Sequence, residues 1–401
     1  MAEYKDRERF IPIRIPETVN LICGDGFLDK KNQNKFRELA IMMENIFHYE
    51  LQSTTEELDD LYHPFDPYTE FKTLTKYSKK ELEDKEKTFL EKIKELLNKG
   101  NFNPIKNEEI EHALKEKSVL AVNVKFSLDD LEKMFLYKRG EMSSTETVSR
   151  FSFLRRIFKK TVQLEAFEKI VLILKFNKNY QPEKTTIQEK IQADKIYLKI
   201  FRNVPKQDLE LIFPNCKVRM SLFDKLKILL PLIFGLGVVS IQLLNVWGNI
   251  SPFILGGMAF AFVGYAIKSY ISYKNTILKY TKTLAQGLYF KILGDGYSVI
   301  HHLTNAAEEE DTEEALLGYY FLLKNKNLTS SELDDLVENW FEKHGIKLDF
   351  EVKDSLQKLE RLKLAFQKNN LWNVVSLNKS LAQLDQIWDD YFTYGKSTSK
   401  I

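Results

Sequence analysis

Glu109 and His112 make a Glu-x-x-His pair, and Glu44 with His48 sets a carboxylate and an imidazole one helical turn apart. Carboxylate di-metal bundles need two Glu-x-x-His motifs and further glutamates, and two ligands do not complete a metal site. Both pairs therefore read as helix faces. His301 and His302 are adjacent, so on a helix they point to different faces and cannot ligate jointly. The chain has no HExxH, no GxxxxGK[ST] phosphate loop, no GxGxxG and no GxSxG. Gly24-Asp25-Gly26 and Gly294-Asp295-Gly296 are too short for phosphate loops and read as tight turns. Asp208 and Glu210 sit in a run that reads as structural. No catalytic, cofactor or metal residue is nominated, and the reading leans away from an enzyme. One basic stretch, Arg150 to Lys160, interleaves five cations with five large apolar residues. Arg155, Arg156, Lys159 and Lys160 are its candidates for contact with anionic lipid.

The elements that would carry these residues come from a 401-residue chain, 44% apolar and 29% charged, with a net charge of +2. That balance is globular. So small a net charge gives no global pull toward nucleic acid, but charge is uneven. Glu308 to Glu360 holds 15 acids against 6 Lys. Cys23 and Cys216 are too few for a disulfide scaffold and read as reduced, buried thiols. Met1 to Arg9 is charged and has no apolar core of signal-peptide length.

Ile228 to Ile267 contains no charged residue over 40 positions, about twice the ~20 needed to cross a bilayer once. Trp247-Gly248-Asn249-Ile250-Ser251-Pro252 is turn chemistry in its middle. The expectation is a transmembrane hairpin with spans at about 228–247 and 251–271. Lys225 and Lys227 before it, and Lys268 and Lys274 after it, would place both termini in the cytoplasm by the positive-inside rule. Gly257, Ala261 and Gly264 share one helical face as a seam for another helix.

Around that hairpin the periodicity gives a helical region at 1–99, with helices at about Asn34–Leu61 and 78–99. An α+β domain follows at 100–222, with strands at 119–124, 169–176 and 195–201. The hairpin region is 223–275. A C-terminal helical domain takes 276–401, with helices at about 297–309, 313–324, 330–344, 351–362 and 377–392. Three short helices leading to a hairpin near Lys368-Asn369-Asn370 resemble a winged helix over 313–375. The fold class expected is therefore α+β, mainly helical. Phosphate contacts need cations; Lys353, Lys358, Arg361 and Lys363 are present, but Asp349, Glu351, Asp354 and Glu360 offset them. A protein partner is favoured over DNA.

Several segments together carry a family resemblance: Arg7-Glu8-Arg9-Phe10-Ile11-Pro12, Ile46-Phe47-His48-Tyr49, Tyr62-His63-Pro64-Phe65-Asp66-Pro67 and Leu136-Tyr137-Lys138-Arg139-Gly140-Glu141. The run Leu198 to Glu210, the run Val218 to Lys227 and Leu384-Asp385-Gln386-Ile387-Trp388-Asp389-Asp390-Tyr391-Phe392 complete it. With these the chain resembles the uncharacterised transmembrane protein 143-like family, over nearly its whole length. The resemblance implies two membrane spans and brings no assigned activity or catalytic residue. The absence of a basic transit peptide points to a bacterial inner membrane.

The functional expectation is a non-enzymatic, membrane-anchored interaction or regulatory protein. Its partners would be the lipid bilayer and a protein bound at the acidic C-terminal domain, with homo-oligomers as a further option. The rivals are a membrane-surface enzyme or lipid-handling protein, and an oligomeric channel component. A deep pocket lined by converging polar side chains would favour the enzyme.

Overall fold

The computed structural model describes residues 7–392 apart from 70–73, 107, 111–122, 126, 150–158, 181–190, 215–216, 220–225, 227–228, 231–232, 234, 236, 238–239 and 241–251. Helix α1 (Ile15–Gly24) leads into α2 (Lys30–Tyr62). The Asp29 side chain accepts the Asn32 N–H at 2.7 Å and caps α2. Phe36, Leu39, Ala40, Met43, Ile46 and Phe47 recur at three- and four-residue spacing and are buried. Pro64 ends the helix in a single 3-10 turn. Helix α3 (Lys79–Lys99) starts with a reciprocal capping box between Ser78 and Glu81.

The central sheet is antiparallel, in the order β1-β3-β4-β5-β7. Its strands are β1 (Asn103–Pro104), β3 (Leu131–Ser149), β4 (Lys159–Phe176), β5 (Ile196–Pro205) and β7 (Ile292–Asp295). A second pair joins β2 (Asn123–Lys125) to β6 (Lys217–Arg219). Ile170 to Leu174 of β4 are all buried, because both faces of the sheet are covered. Alternate residues divide between the two faces. Val171 and Ile173 pack with Phe89 and Ile93 of α3 and with Val299 and Leu303. Ile170, Leu172 and Leu174 pack with Leu209, Ile212 and Phe213.

Helix α4 (Pro252–Tyr289) runs on to β7, and α5 (Tyr297–Asn325) begins at Gly296, whose φ of +54° suits the missing side chain. Thus Gly294-Asp295-Gly296 is the end of a strand and a helix cap. Helix α5 is continuous where two helices were expected at 297–309 and 313–324. Nothing in Glu308 to Glu314 breaks a helix, and Glu310 to Glu314 are buried. Helices α6 (Ser330–Lys343) and α7 (Val352–Arg361) follow, then β8 (Ala365–Lys368), β9 (Leu371–Val374) and α8 (Leu377–Asp390). Asn369 and Asn370 turn the β8–β9 hairpin with φ of 52° and 62°, values that asparagine tolerates better than most residues. Leu328 pairs with Trp372 of β9 in an isolated antiparallel bridge. The described elements of this unit therefore run α5, α6, α7, the β8–β9 hairpin and α8.

The expected transmembrane hairpin is overturned. Among the described residues no helix is long and apolar enough to cross a membrane. In α4 the uncharged stretch Pro252–Ile267 is sixteen residues, about 24 Å of helix against a hydrocarbon core of ~30 Å. The helix then continues through Lys268, Lys274, Lys279 and Lys282. Most of the first expected span, with Lys225 and Lys227, lies outside the described residues. The integral-membrane assignment, the inner-membrane localisation and the topology argued from these lysines fall with the hairpin. The fold class is mixed α/β without it.

Candidate functional site: a buried charge network and an aromatic groove

Four acids of the acidic C-terminal stretch turn inward. Glu310, Asp311, Glu313 and Glu314 of α5 are all buried. Glu310 accepts hydrogen bonds from the Ile11 N–H at 3.1 Å, from Asn101 Nδ2 at 3.1 Å and from Arg139 Nη2 at 2.5 Å. The Arg139 guanidinium also lies 4.6 Å from the Phe10 ring centre and 5.6 Å from that of Phe102, a stacking geometry that suits arginine. Burial pushes the Glu310 carboxyl up, and Arg139 opposes the push.

One turn along α5, Glu313 Oε1 accepts the Thr18 hydroxyl at 2.9 Å, while Oε2 is buried without a hydrogen-bond partner. Burial, with Glu310 nearby, holds this carboxyl well above the usual range. Glu314 and Asp311 share Lys358 of α7, at 2.5 and 2.6 Å. One ammonium cannot balance two carboxylates. Burial first, then Glu310 and Asp311, push the Glu314 carboxyl up to about 8 against the pull of Lys358. Burial works against the Lys358 charge, but the two acids more than offset it. Helix α7 comes this close because position 318 is glycine: a Cβ there would stand 2.1 Å from Ser355 Oγ. Lys169 of β4 borders the same region, and burial together with Arg139 lowers its pKa.

The N-terminal segment is stitched to both sides of this network. Glu8 Oε1 accepts the Glu141 N–H at 2.8 Å, and the Glu8 carbonyl accepts the Asp349 N–H at 2.9 Å. Gly140 turns at φ +78°, where a Cβ would meet Glu168 Oε2 at 2.8 Å. The cluster binds chain to chain. Its acids and bases bond to each other in part, leaving Glu313 Oε2 and the Arg139 Nε and Nη1 buried without a hydrogen-bond partner.

A second feature faces outward. Helices α2 and α8 pack together and leave a cavity of about 220 Å³ between Met42, Asn45, Ile46, Leu384, Asp385 and Trp388. Trp388 is 41% exposed and Phe392 63%. Tyr49 joins them, with ring-centre distances of 6.1 Å to Trp388, 4.6 Å to Tyr391 and 5.5 Å to Phe392. Tyr391 donates to Glu50 Oε1 at 2.8 Å, and Arg361 Nη1 reaches the same oxygen at 2.5 Å. Two of the quoted segments, Ile46–Tyr49 and Leu384–Phe392, meet here across more than 330 residues of chain. A more polar cavity of about 500 Å³ lies where β3 begins and β4 ends, by Asp129, Asp130, Glu132 and Tyr180.

The nominated residues are dispersed. Gly257, Ala261 and Gly264 are exposed on α4, and a Cβ at Gly257 or Gly264 would meet nothing within 4 Å. Lys268 and Lys274 are exposed on the same helix, with Lys274 Nζ 5.7 Å from the Tyr270 ring centre. Arg155 and Arg156 lie outside the described residues. Lys159 and Lys160 are in β4, paired with Ser149 and Val148. His112 also lies outside the described residues, and among those described no three metal-ligating side chains converge. His48 Nδ1 instead meets Glu308 at 2.8 Å. Of the cations weighed for DNA, Lys358 is paired within the fold and Arg361 meets Glu50. Sequence reasoning missed Arg139, Glu310, Glu313 and Glu314. The available signal was an acidic run bounded by Ala306-Ala307 and Ala315-Leu316-Leu317, apolar on both sides.

Comparison with known proteins adds one match. No solved structure matches the chain. Residues 167–298, about a third of the chain, match the family model described as "Protein of unknown function (DUF3754)". A DUF3754 domain of unknown function is thus found from the second half of β4, through β5, α4 and β7, to the first residues of α5.

Proposed function

We propose that this chain is a non-enzymatic interaction protein with a regulatory role, and that the α2–α8 groove is where it meets a protein partner. The observation that carries this reading is the cluster of Tyr49, Trp388, Tyr391 and Phe392 beside an open apolar hole. Tryptophan and tyrosine at a pocket edge are the residue types that dominate binding energy at protein interfaces. The hole is smaller than the ~300–1,000 Å³ usual for small-molecule and cofactor sites, which favours a side chain as occupant. Four acids of the C-terminal block, Glu310, Asp311, Glu313 and Glu314, are buried, and this reading puts the partner at the groove. Membership of the transmembrane protein 143-like family and a bacterial source belong to this reading too, and neither brings an assigned activity.

Site-specific photo-crosslinking of the full chain in native extract tests it. A cross-linker at Asn45, in the groove, should capture a defined protein that one at Lys79, exposed on α3, does not. Identical capture from both positions, or none from Asn45, overturns the reading.

A further inference from the structure

We infer that the groove between α2 and α8 takes a cationic amphipathic helix, one large apolar side chain of which fills the hole beside Trp388. The inference rests on the groove being the interaction site and goes on to name the chemistry of its occupant. Three observations converge on it.

The first is shape. Two packed helices leave a trough along their shared length, and α8 has fourteen residues, about 21 Å at 1.5 Å per residue. That length matches a bound helix presenting anchors at i, i+3 or i+4, and i+7. The second is the hole itself, about 220 Å³, which admits a leucine, methionine or phenylalanine side chain. Met42 and Ile46 from α2 and Leu384 from α8 supply its apolar walls, and Ile41 extends the apolar surface at 58% exposure.

The third is charge. Asp385 lines the hole. Asp389 stands one turn farther along the same face of α8, and Glu38 one turn before Met42 on α2. All three are exposed. Lys35 sits at one end and is bonded to Asn378. The rim is therefore acidic along α8, with Glu38 and Lys35 facing it from α2, and its complement is a helix with Lys or Arg flanking an apolar stripe. The same acidity disfavours a phosphate backbone, which needs cations.

The probe is a synthetic sixteen-residue helix with leucine at i, i+3, i+4 and i+7 and lysine on both flanks. Two companions carry glutamate in place of lysine, or serine in place of leucine. Binding to the full chain is read by Trp388 fluorescence, with Trp388→Phe as the silent control. The leucine–lysine helix should bind saturably, and more weakly as salt rises. Asp385→Lys with Asp389→Lys should weaken it about tenfold and favour the leucine–glutamate helix. Both positions are exposed, so the fold is kept, and a circular dichroism melt checks it. Equal binding of the serine–lysine helix, equal binding to the double variant, or no binding overturns the inference. If Asn45 still captures a defined partner in that case, only the occupant's chemistry is wrong. If Asn45 captures nothing, the groove reading itself fails.

Discussion

Thr18 gives its hydroxyl hydrogen to Glu313 at 2.9 Å, while the other carboxyl oxygen meets nothing. A neutral carboxyl tolerates that setting far better than a charged one. Glu313 and Glu314 both have pKa values raised by burial. The folded state thus keeps protons that the unfolded chain releases from about pH 4.3 upward. Stability should fall as pH rises from there, through about 8 for Glu314. Urea midpoints at pH 5 and pH 8.5 check this, and Glu313→Gln should flatten the difference because glutamine carries no proton to lose. Arg139 poses the opposite case. Arg139→Met strands Glu310 and should cost about 3–5 kcal/mol. Adding Glu310→Met should recover part of that loss, and a double-mutant cycle in urea measures the coupling. A coupling near zero would show that the 2.5 Å pair does not hold the N-terminal segment in place.

Helix α5 and the β8–β9 hairpin can be tested as elements. If α5 were two helices meeting near Thr312, proline there would be tolerated. In the continuous helix Thr312→Pro should cost about 3 kcal/mol or more, well beyond Thr312→Ala, as read by thermal melting. In the hairpin, Asn370→Val forces a branched side chain to a φ of 62° and should cost about 1–2 kcal/mol, whereas Asn370→Gly should be nearly neutral. The hairpin was legible because Asn369-Asn370 is local turn chemistry. Helices α2, α3, α6, α7 and α8 were legible because their apolar spacing is local as well. Strand β3 was not: Leu131–Ser149 mixes charged and apolar residues with no clean alternation, and its partner β4 decides its conformation. Burial of α5 was hidden for a related reason. Counting charge along the chain cannot show that Arg139 and Lys358 arrive from elsewhere to meet it. The apolar run at 228–267 misled because absence of charge was read without asking how long an apolar helix results: in α4 (Pro252–Tyr289) the uncharged part reaches only to Ile267.

At the scale of the molecule, one apolar core joins the beginning of the chain to its end. Ile15, Phe36, Met43 and Phe47 share it with Leu316, Tyr320, Phe341, Leu359 and Leu384. Groups this interleaved should open together. Hydrogen exchange should give the amides of Phe36–Phe47 and Leu316–Phe321 the same opening free energy. Separate values would mean that α2 comes away from α5 by itself.

The shared core also sets an order of events during synthesis. Helix α2 leaves the ribosome early with α1, yet the rest of the core that covers Phe36, Met43 and Phe47 begins near Ala315. At ~5–20 residues per second, roughly 15–60 seconds pass before that cover exists. Through that interval the nascent chain carries a bare apolar stripe and an Arg139 whose carboxylate partner has not yet been made. The first half of this protein must therefore be kept from aggregating until nearly the last helix has been translated.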